Sequence, residues 1–341
     1  MGTAIRDLLK REEINLDYLN GRTVGIDSHN MLYQFLSTIR GRDGTPLMDS
    51  KGRVTSHLTG LLYRTVNLIE REVNPVFVFD GKPPELKGET LRARHKIRTE
   101  AAKKFEDAKA KGEVAEAKKY AQQAVRLTKE MIEDAKKLIS LMGLPIVQAP
   151  SEGEAQIATM VTAGKLYGAI SQDYDALLFG TPLLFRNITI SGKRKVPGRD
   201  YYYNISPEKI DLKANLEALG IDRRKLIWIG LLVGTDFNKK FPKVGAKTAL
   251  KLVTKFDRFE EIIENAKYKP DFDYKEIENI FMNPASTDEY DLKFELPKMN
   301  EIKDLLVNEH DFGAERVENA LKKLQEKIDD RGKQSRLSQW G

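Results

Sequence analysis

Pro75-Val76-Phe77-Val78-Phe79 is an unbroken apolar run closed by Asp80. A run this short, rich in β-branched and aromatic residues, predicts a strand buried on both faces. The pattern recurs along the chain. Thr23-Val24-Gly25-Ile26 ends at Asp27, Leu144-Pro145-Ile146-Val147 leads through Gln148-Ala149-Pro150 to Ser151, and Tyr167-Gly168-Ala169-Ile170 leads to Asp173. Helical patterns alternate with these runs, at about 55–72, 125–142 and 153–163. The alternation predicts an α/β fold with a mostly parallel central sheet flanked by helices. Such sheets bind ligands beyond the C-terminal ends of their strands. Parallel neighbours would bring Asp27, Asp80, Glu152, Glu154, Asp173 and Asp175 onto one rim. So many carboxylates repel one another unless cations neutralise them, which points to divalent metal.

Each motif carries a plainer reading beside the functional one. Asp173-Tyr174-Asp175 places two carboxylates on one face if the segment is extended, although Asp is also common in turns. Ser151-Glu152-Gly153-Glu154 fits a helix capping box, with Ser151 as N-cap and Glu154 three residues later. Glu152 has no part in such a box. Asp236 closes Gly234-Thr235-Asp236 after an apolar helix, where an acid is disfavoured by the helix dipole and a metal or hydrogen-bonding role is more natural. Gly245-Ala246-Lys247-Thr248 lacks the glycines of a nucleotide-binding phosphate loop. It is either an ordinary helix start or a helix N-terminus that grips a DNA phosphate. Tyr33 and Phe35 sit on one predicted helix, where aromatics are mostly core and one can serve as a base-stacking platform.

Composition narrows the class. The chain has 341 residues, 32% charged and 40% hydrophobic, with a net charge of +6 and no cysteine. This is the balance of a soluble globular protein leaning towards a polyanion partner. No apolar run approaches the roughly 20 residues of a membrane span, so no membrane partner is expected. The first residues lack a signal-peptide core, and the expected location is cytoplasmic, at the nucleoid, or nuclear in a eukaryote. Without cysteine, and with His29, His57, His95 and His310 out of ligand spacing, carboxylates select Mg²⁺ or Mn²⁺ rather than zinc.

Residues about 82–124 form a polar segment rich in Lys and Arg, read as a charged, mobile helical excursion. After about 224 the pattern is helical. Arg224–Val233, the loop Phe237–Val244 and the helix starting at Gly245 form a helix-turn-helix at about 225–255. A basic amphipathic helix follows at about 313–330, and Lys333–Gly341 reads as a flexible tail.

These segments resemble the flap endonuclease family, within the wider group of excision-repair nucleases. The resemblance rests on Ile26-Asp27 with Tyr33-Gln34-Phe35-Leu36, Thr55-Ser56-His57-Leu58, Tyr63-Arg64-Thr65, and Val78-Phe79-Asp80-Gly81-Lys82-Pro83-Pro84. It extends through Ala149-Pro150-Ser151-Glu152-Gly153-Glu154-Ala155, Ser171-Gln172-Asp173-Tyr174-Asp175, Gly234-Thr235-Asp236 and the tail. It spans nearly the whole chain in order and is most similar to the archaeal form. It implies a nuclease core over 1–224 (halves about 1–105 and 140–224, with a helical arch at about 82–124), a DNA-binding region over 225–332, and a clamp-binding tail over 333–341.

The resemblance implies cleavage of 5′ flaps on branched DNA in replication and repair, with exonuclease action besides. Asp27, Asp80, Glu152, Glu154, Asp173, Asp175 and Asp236 match the metal-site acids, which would hold two Mg²⁺ and activate water for in-line attack. Lys87 and Arg94 match the catalytic basic residues over the scissile phosphate. Gly2, Tyr33 and Arg40 match residues near the site or at the template bend, and Lys243, Gly245, Lys247 and Lys251 fall in the duplex-gripping helix-turn-helix. Gln334, Leu337 and Trp340 match a sliding-clamp motif. Two departures stand out. Lys243-Val244-Gly245 replaces the usual Gly-Ile-Gly, which bears on a K⁺-assisted backbone grip, and Gly341 stands where a second aromatic is usual. The rival readings are a non-catalytic junction-binding protein that associates with a clamp, and a related nuclease acting on bubbles or RNA.

Overall fold

The computed structural model describes the backbone of residues 3–41, 43–189, 193–195, 202–267 and 269–337, and side chains outside 190–204 and 328–341. Its strands are β1 (Glu12–Glu13), β2 (Thr23–Asp27), β3 (Asn74–Phe79), β4 (Ile146–Gln148), β5 (Gly168–Ile170), β6 (Leu183–Arg186), β7 (Lys193–Lys195), β8 (Tyr202–Asn204) and β9 (Glu208–Asp211). The helices before residue 180 are α1 (Ser28–Thr38), α2 (Ser56–Glu70), α3 (Gly88–Ala110), α4 (Val114–Gln123), α5 (Lys129–Leu141), α6 (Gly153–Thr162) and α7 (Asp175–Leu178). Those after it are α8 (Leu212–Leu219), α9 (Arg223–Val233), α10 (Ala246–Lys255), α11 (Phe259–Ala266), α12 (Tyr274–Met282), α13 (Met299–Lys303) and α14 (Ala314–Leu337).

Seven strands form one sheet in the order β1-β9-β6-β5-β2-β3-β4. The five from β6 to β4 run parallel, and β9 and β1 close one edge antiparallel. Strand β3 accounts for the layering. Val76 and Val78 point into one apolar cluster with α6, α9, α10, α11 and α12, while Phe77 and Phe79 point into a second with α1, α2, α5, α13 and α14. An unbroken apolar strand is what this two-sided burial requires. Helix α9 is buried all round from Leu226 to Val233, so the helix-turn-helix is built on a core element rather than hung from the surface. Helices α3 and α4 pack on each other, and α4 also touches α1.

Two features differ from expectation. Strands β1, β6, β7, β8 and β9 were not foreseen; in β9 only Ile210 is buried and the rest is half-exposed and charged. Helix α14 runs to Leu337 instead of stopping near 330, so residues 333–337 are helical and not a loose tail. The stretch holds strong helix formers with Gly332 as its sole glycine, a local cost of about 1 kcal/mol that does not end a helix.

Candidate metal centre and nucleic-acid interface

Strand β2 delivers Asp27 as its last residue, and Asp27 then caps α1 by accepting from the Asn30 amide at 3.0 Å. Asp80 follows β3 directly, and its Oδ1 accepts from the Gly153 amide at 2.7 Å. A Cβ on Gly153 would lie 2.8 Å from that oxygen, so glycine is required for this approach. The Asp80 amide donates to His29 Nδ1 at 3.1 Å, so this nitrogen serves as an acceptor, and burial lowers the His29 pKa in keeping with that.

The capping box is not formed. The N-cap of α6 is Glu152, with no side-chain cap bond, and both glutamates turn to other partners. Glu152 Oε2 accepts from Lys87 Nζ at 2.6 Å, and Glu154 Oε1 lies 2.8 Å from Ser171 Oγ, which also sits 3.2 Å from Asp27 Oδ2. The Asp173–Asp175 pair lies on a bend that enters α7, not on an extended segment. Asn30 Nδ2 donates to Asp173 at 3.0 Å, and Asp175 accepts from Thr3. Asp236 lies 3.4 Å from Lys87 Nζ and pairs with Arg94.

The electrostatics tie these acids together. Burial pushes Asp27 and Glu154 well above the usual carboxylate range, and the neighbouring charges of Asp80 and Asp27 respectively add to it. Burial raises Asp175 to about 6, with Asp173 and Asp236 contributing, and raises Glu152, with Asp80 and Asp236 contributing. Repulsion therefore links all seven acids. Burial acts to lower Lys87, but Glu152 and Asp236 more than reverse it and hold the ammonium above its ordinary value.

Among the described residues no group of three or more acids or histidines closes as a preformed metal shell. The acids are instead held by amides, hydroxyls and the two basic side chains. As donors they still suit a hard divalent cation, since all are oxygen ligands and their charge is under-compensated.

Lys87 and Arg94 stand seven residues apart at the start of α3, two turns along one helix face. Arg98, one turn further, was not singled out from the sequence. Its guanidinium lies 4.9 Å over the Tyr33 ring and donates to the Tyr33 hydroxyl at 3.2 Å. Its spacing from Arg94 was the available signal. Nothing in the sequence marked Thr3. Arg40 donates to the Gly44 carbonyl at 2.8 Å, holding the turn after α1. Lys243, Lys247 and Lys251 are exposed, with Gly245 as the N-cap of α10, and none joins the acidic cluster in the described contacts. Gly2 and Trp340 lie outside the described residues, as do the side chains of Gln334 and Leu337.

An acidic rim on the switch edge of a parallel sheet, faced by cations from a helical excursion, is the frame of the XPG nucleases. Models of the XPG N-terminal domain and the XPG I-region match residues 4–101 and 143–236. The chain belongs to the flap endonuclease family: it is 52% identical over its whole length to flap endonuclease 1 of Pyrococcus abyssi, 98% of which is covered. The solved flap endonuclease-1 of Methanococcus jannaschii superposes with a TM-score of 0.77 at 39% identity, covering 97% of this chain and all of that one. A catalytic core of Rad2 solved with a DNA substrate shares the fold, with a TM-score of 0.69 at 22% identity over 95% of this chain and all of that one.

Proposed function

We propose that this chain is a structure-specific 5′ flap endonuclease that hydrolyses DNA phosphodiesters where single strand meets duplex, in replication and repair. Full-length likeness to flap endonucleases supports the activity, and XPG-family nucleases are metal-dependent hydrolases. The observation that carries the mechanism is the acidic rim faced by Lys87 and Arg94.

Asp27, Asp80, Glu152, Glu154, Asp173, Asp175 and Asp236 would hold two Mg²⁺. Bound there, the ions supply Lewis-acid charge against the phosphate and lower the pKa of the attacking water. The chain's own residues do the rest. Lys87 and Arg94 exchange their carboxylate partners for the scissile phosphate and stabilise charge as it builds in the transition state. Residues 82–124 gate the single strand, with Tyr33 and Arg40 at the template bend. In region 225–332, Lys243, Gly245, Lys247 and Lys251 grip duplex phosphates, and the backbone of the turn would hold a K⁺ that adds positive charge against them. Specificity then follows DNA shape, not base edges. The tail 334–341 docks a sliding clamp through Gln334, Leu337 and Trp340.

The test is incubation with labelled 5′-flap, bubble, nicked and RNA substrates, with and without Mg²⁺. Flap cleavage should dominate and require Mg²⁺. Equal cleavage of all four, or cleavage in EDTA, would overturn the reading. Calorimetry of the full chain and of a 334–341 deletion against a clamp tests the tail, and equal binding by both sinks it.

A further inference from the structure

Thr3, the first of the described residues, bonds to one of the rim acids. Thr3 is 2% exposed, and its amide donates to Asp175 Oδ1 at 2.7 Å. Its hydroxyl donates to the same oxygen. The two residues are 172 apart in sequence, so this contact is made by the fold and not by local chain geometry.

What fixes Thr3 lies behind it. Ile5 is fully buried and Leu9 nearly so, both in the cluster shared by the sheet and α9. The Ile5 amide donates to the Thr3 carbonyl at 2.9 Å, closing a tight turn. Further on, the Lys10 amide donates to Asn215 Oδ1 at 2.6 Å, and Asn215 Nδ2 returns a bond to the Lys10 carbonyl at 3.1 Å. The short 3-10 helix Arg6–Leu8 packs against α10. The segment is thus wedged between the duplex-binding helix and the sheet, and Thr3 cannot swing away without unseating Ile5.

We infer that Thr3 is a positioning residue for metal binding: its hydroxyl and amide together fix the Asp175 carboxylate by one oxygen and leave Oδ2 free for a divalent ion. This rests on Asp175 being a metal ligand. A carboxylate on a free rotor loses orientational freedom when it binds an ion, whereas one already held by two donors has lost it on folding. Partners of this kind, one step out from the metal, are typically worth about 10–100-fold in metal affinity or activity. Valine at position 3 would keep the volume and the amide bond and remove only the hydroxyl.

The experiment is Mn²⁺ titration of the full, DNA-free chain by calorimetry, on Thr3→Val, Thr3→Ser and Asp175→Asn, with melting in EDTA to confirm that each is folded. Thr3→Val should weaken Mn²⁺ by about 10-fold or more, and Thr3→Ser should stay within about threefold of the parent. Asp175→Asn should weaken it at least as much as Thr3→Val. If Asp175→Asn loses affinity and Thr3→Val does not, the Thr3 proposal falls and the ligand reading stands. If Asp175→Asn keeps the parent affinity, both fall. Equal losses in Thr3→Val and Thr3→Ser would assign the effect to packing and overturn the role of the hydroxyl.

Discussion

Two parts of this molecule bury ionisable groups, and they solve the same problem in opposite ways. On the acidic rim, Asp27, Glu154 and Asp175 are pushed upward by burial. At the start of α2, His57 is wholly buried with neither ring nitrogen hydrogen-bonded, and burial lowers it to about 4, with His310 adding. Desolvation disfavours the charged form in both. His57 escapes by staying neutral beside His310, whose Nδ1 lies 3.4 Å from Asp49 and whose Nε2 lies 3.9 Å from Asp134. The carboxylates escape by holding protons, and can ionise only if cations arrive. Burial of a base is therefore structural here, and burial of acids is a demand for ligands.

The rim can be broken most severely at the chemistry. Asp173→Ala should cost several powers of ten in cleavage rate while junction binding persists. Near-normal cleavage at saturating Mg²⁺ would remove Asp173 from the metal centre. Lys87→Ala and Arg94→Ala should each slow single-turnover cleavage by about 10²–10³ if each supplies one electrostatic donor to the transition state. If only the dissociation constant moves, the two residues hold phosphate and do no more.

Stability against pH sharpens the contrast. The folded pKa of His57 lies below its unfolded value of about 6.5, so the unfolded chain binds the extra proton in between. Its contribution is full above about pH 6.5 and is lost as pH falls, by about 3 kcal/mol at pH 4. The rim has the reverse sign. Asp27, Glu154 and Asp175 hold protons in the folded state that the unfolded chain releases near pH 4, so metal-free stability falls as pH rises through about 6, the value for Asp175. Wild-type protein in EDTA should thus show a shallow profile between pH 4 and 6. His57→Leu should unmask the rim, growing more stable as pH falls from 7 to 5 in denaturant titrations. An acid limb identical to wild type would show that His57 does not titrate on unfolding.

The sequence announces some of this and hides the rest for physical reasons. Asp27 and Asp80 were legible because a strand buried on both faces admits no polar residue until it leaves the core. Asp236 stood out as an acid at the wrong end of a helix dipole. Glu152 and Glu154 were legible as acids, but the capping reading of Glu154 failed and the partners of both were hidden, because Lys87 and Ser171 lie 65 and 17 residues away. Thr3 was invisible for the same reason, being an ordinary residue made important only by a long-range contact. Strand β9 was hidden by having one buried side chain, Ile210, among charged neighbours, which leaves none of the apolar run that marks β3.

A third kind of strain, conformational instead of electrostatic, extends the comparison to the helix-turn-helix. Lys243 sits at φ 61°, in the left-handed region, just before Val244 and the Gly245 N-cap of α10. A side chain there costs roughly 1–2 kcal/mol, which glycine avoids while giving up about 0.5–1 kcal/mol of backbone entropy. Glycine at this turn would thus be the relaxed solution, and this chain keeps an exposed cation at some cost in stability. Lys243→Gly should raise stability by about 0.5–1 kcal/mol, read as a higher urea midpoint at unchanged slope. It should also lower the dependence of log duplex affinity on log salt by about one if the ammonium neutralises a phosphate. Lys247→Ala separates the two effects: it should reduce the salt slope by about one with little gain in stability, since Lys247 lies on an exposed helical face. A Lys243→Gly protein no more stable than its parent would mean that the turn absorbs the strain elsewhere. One that is more stable but keeps the parent salt slope would leave Lys243 without a phosphate, and α10 would then grip the duplex through Lys247 and Lys251.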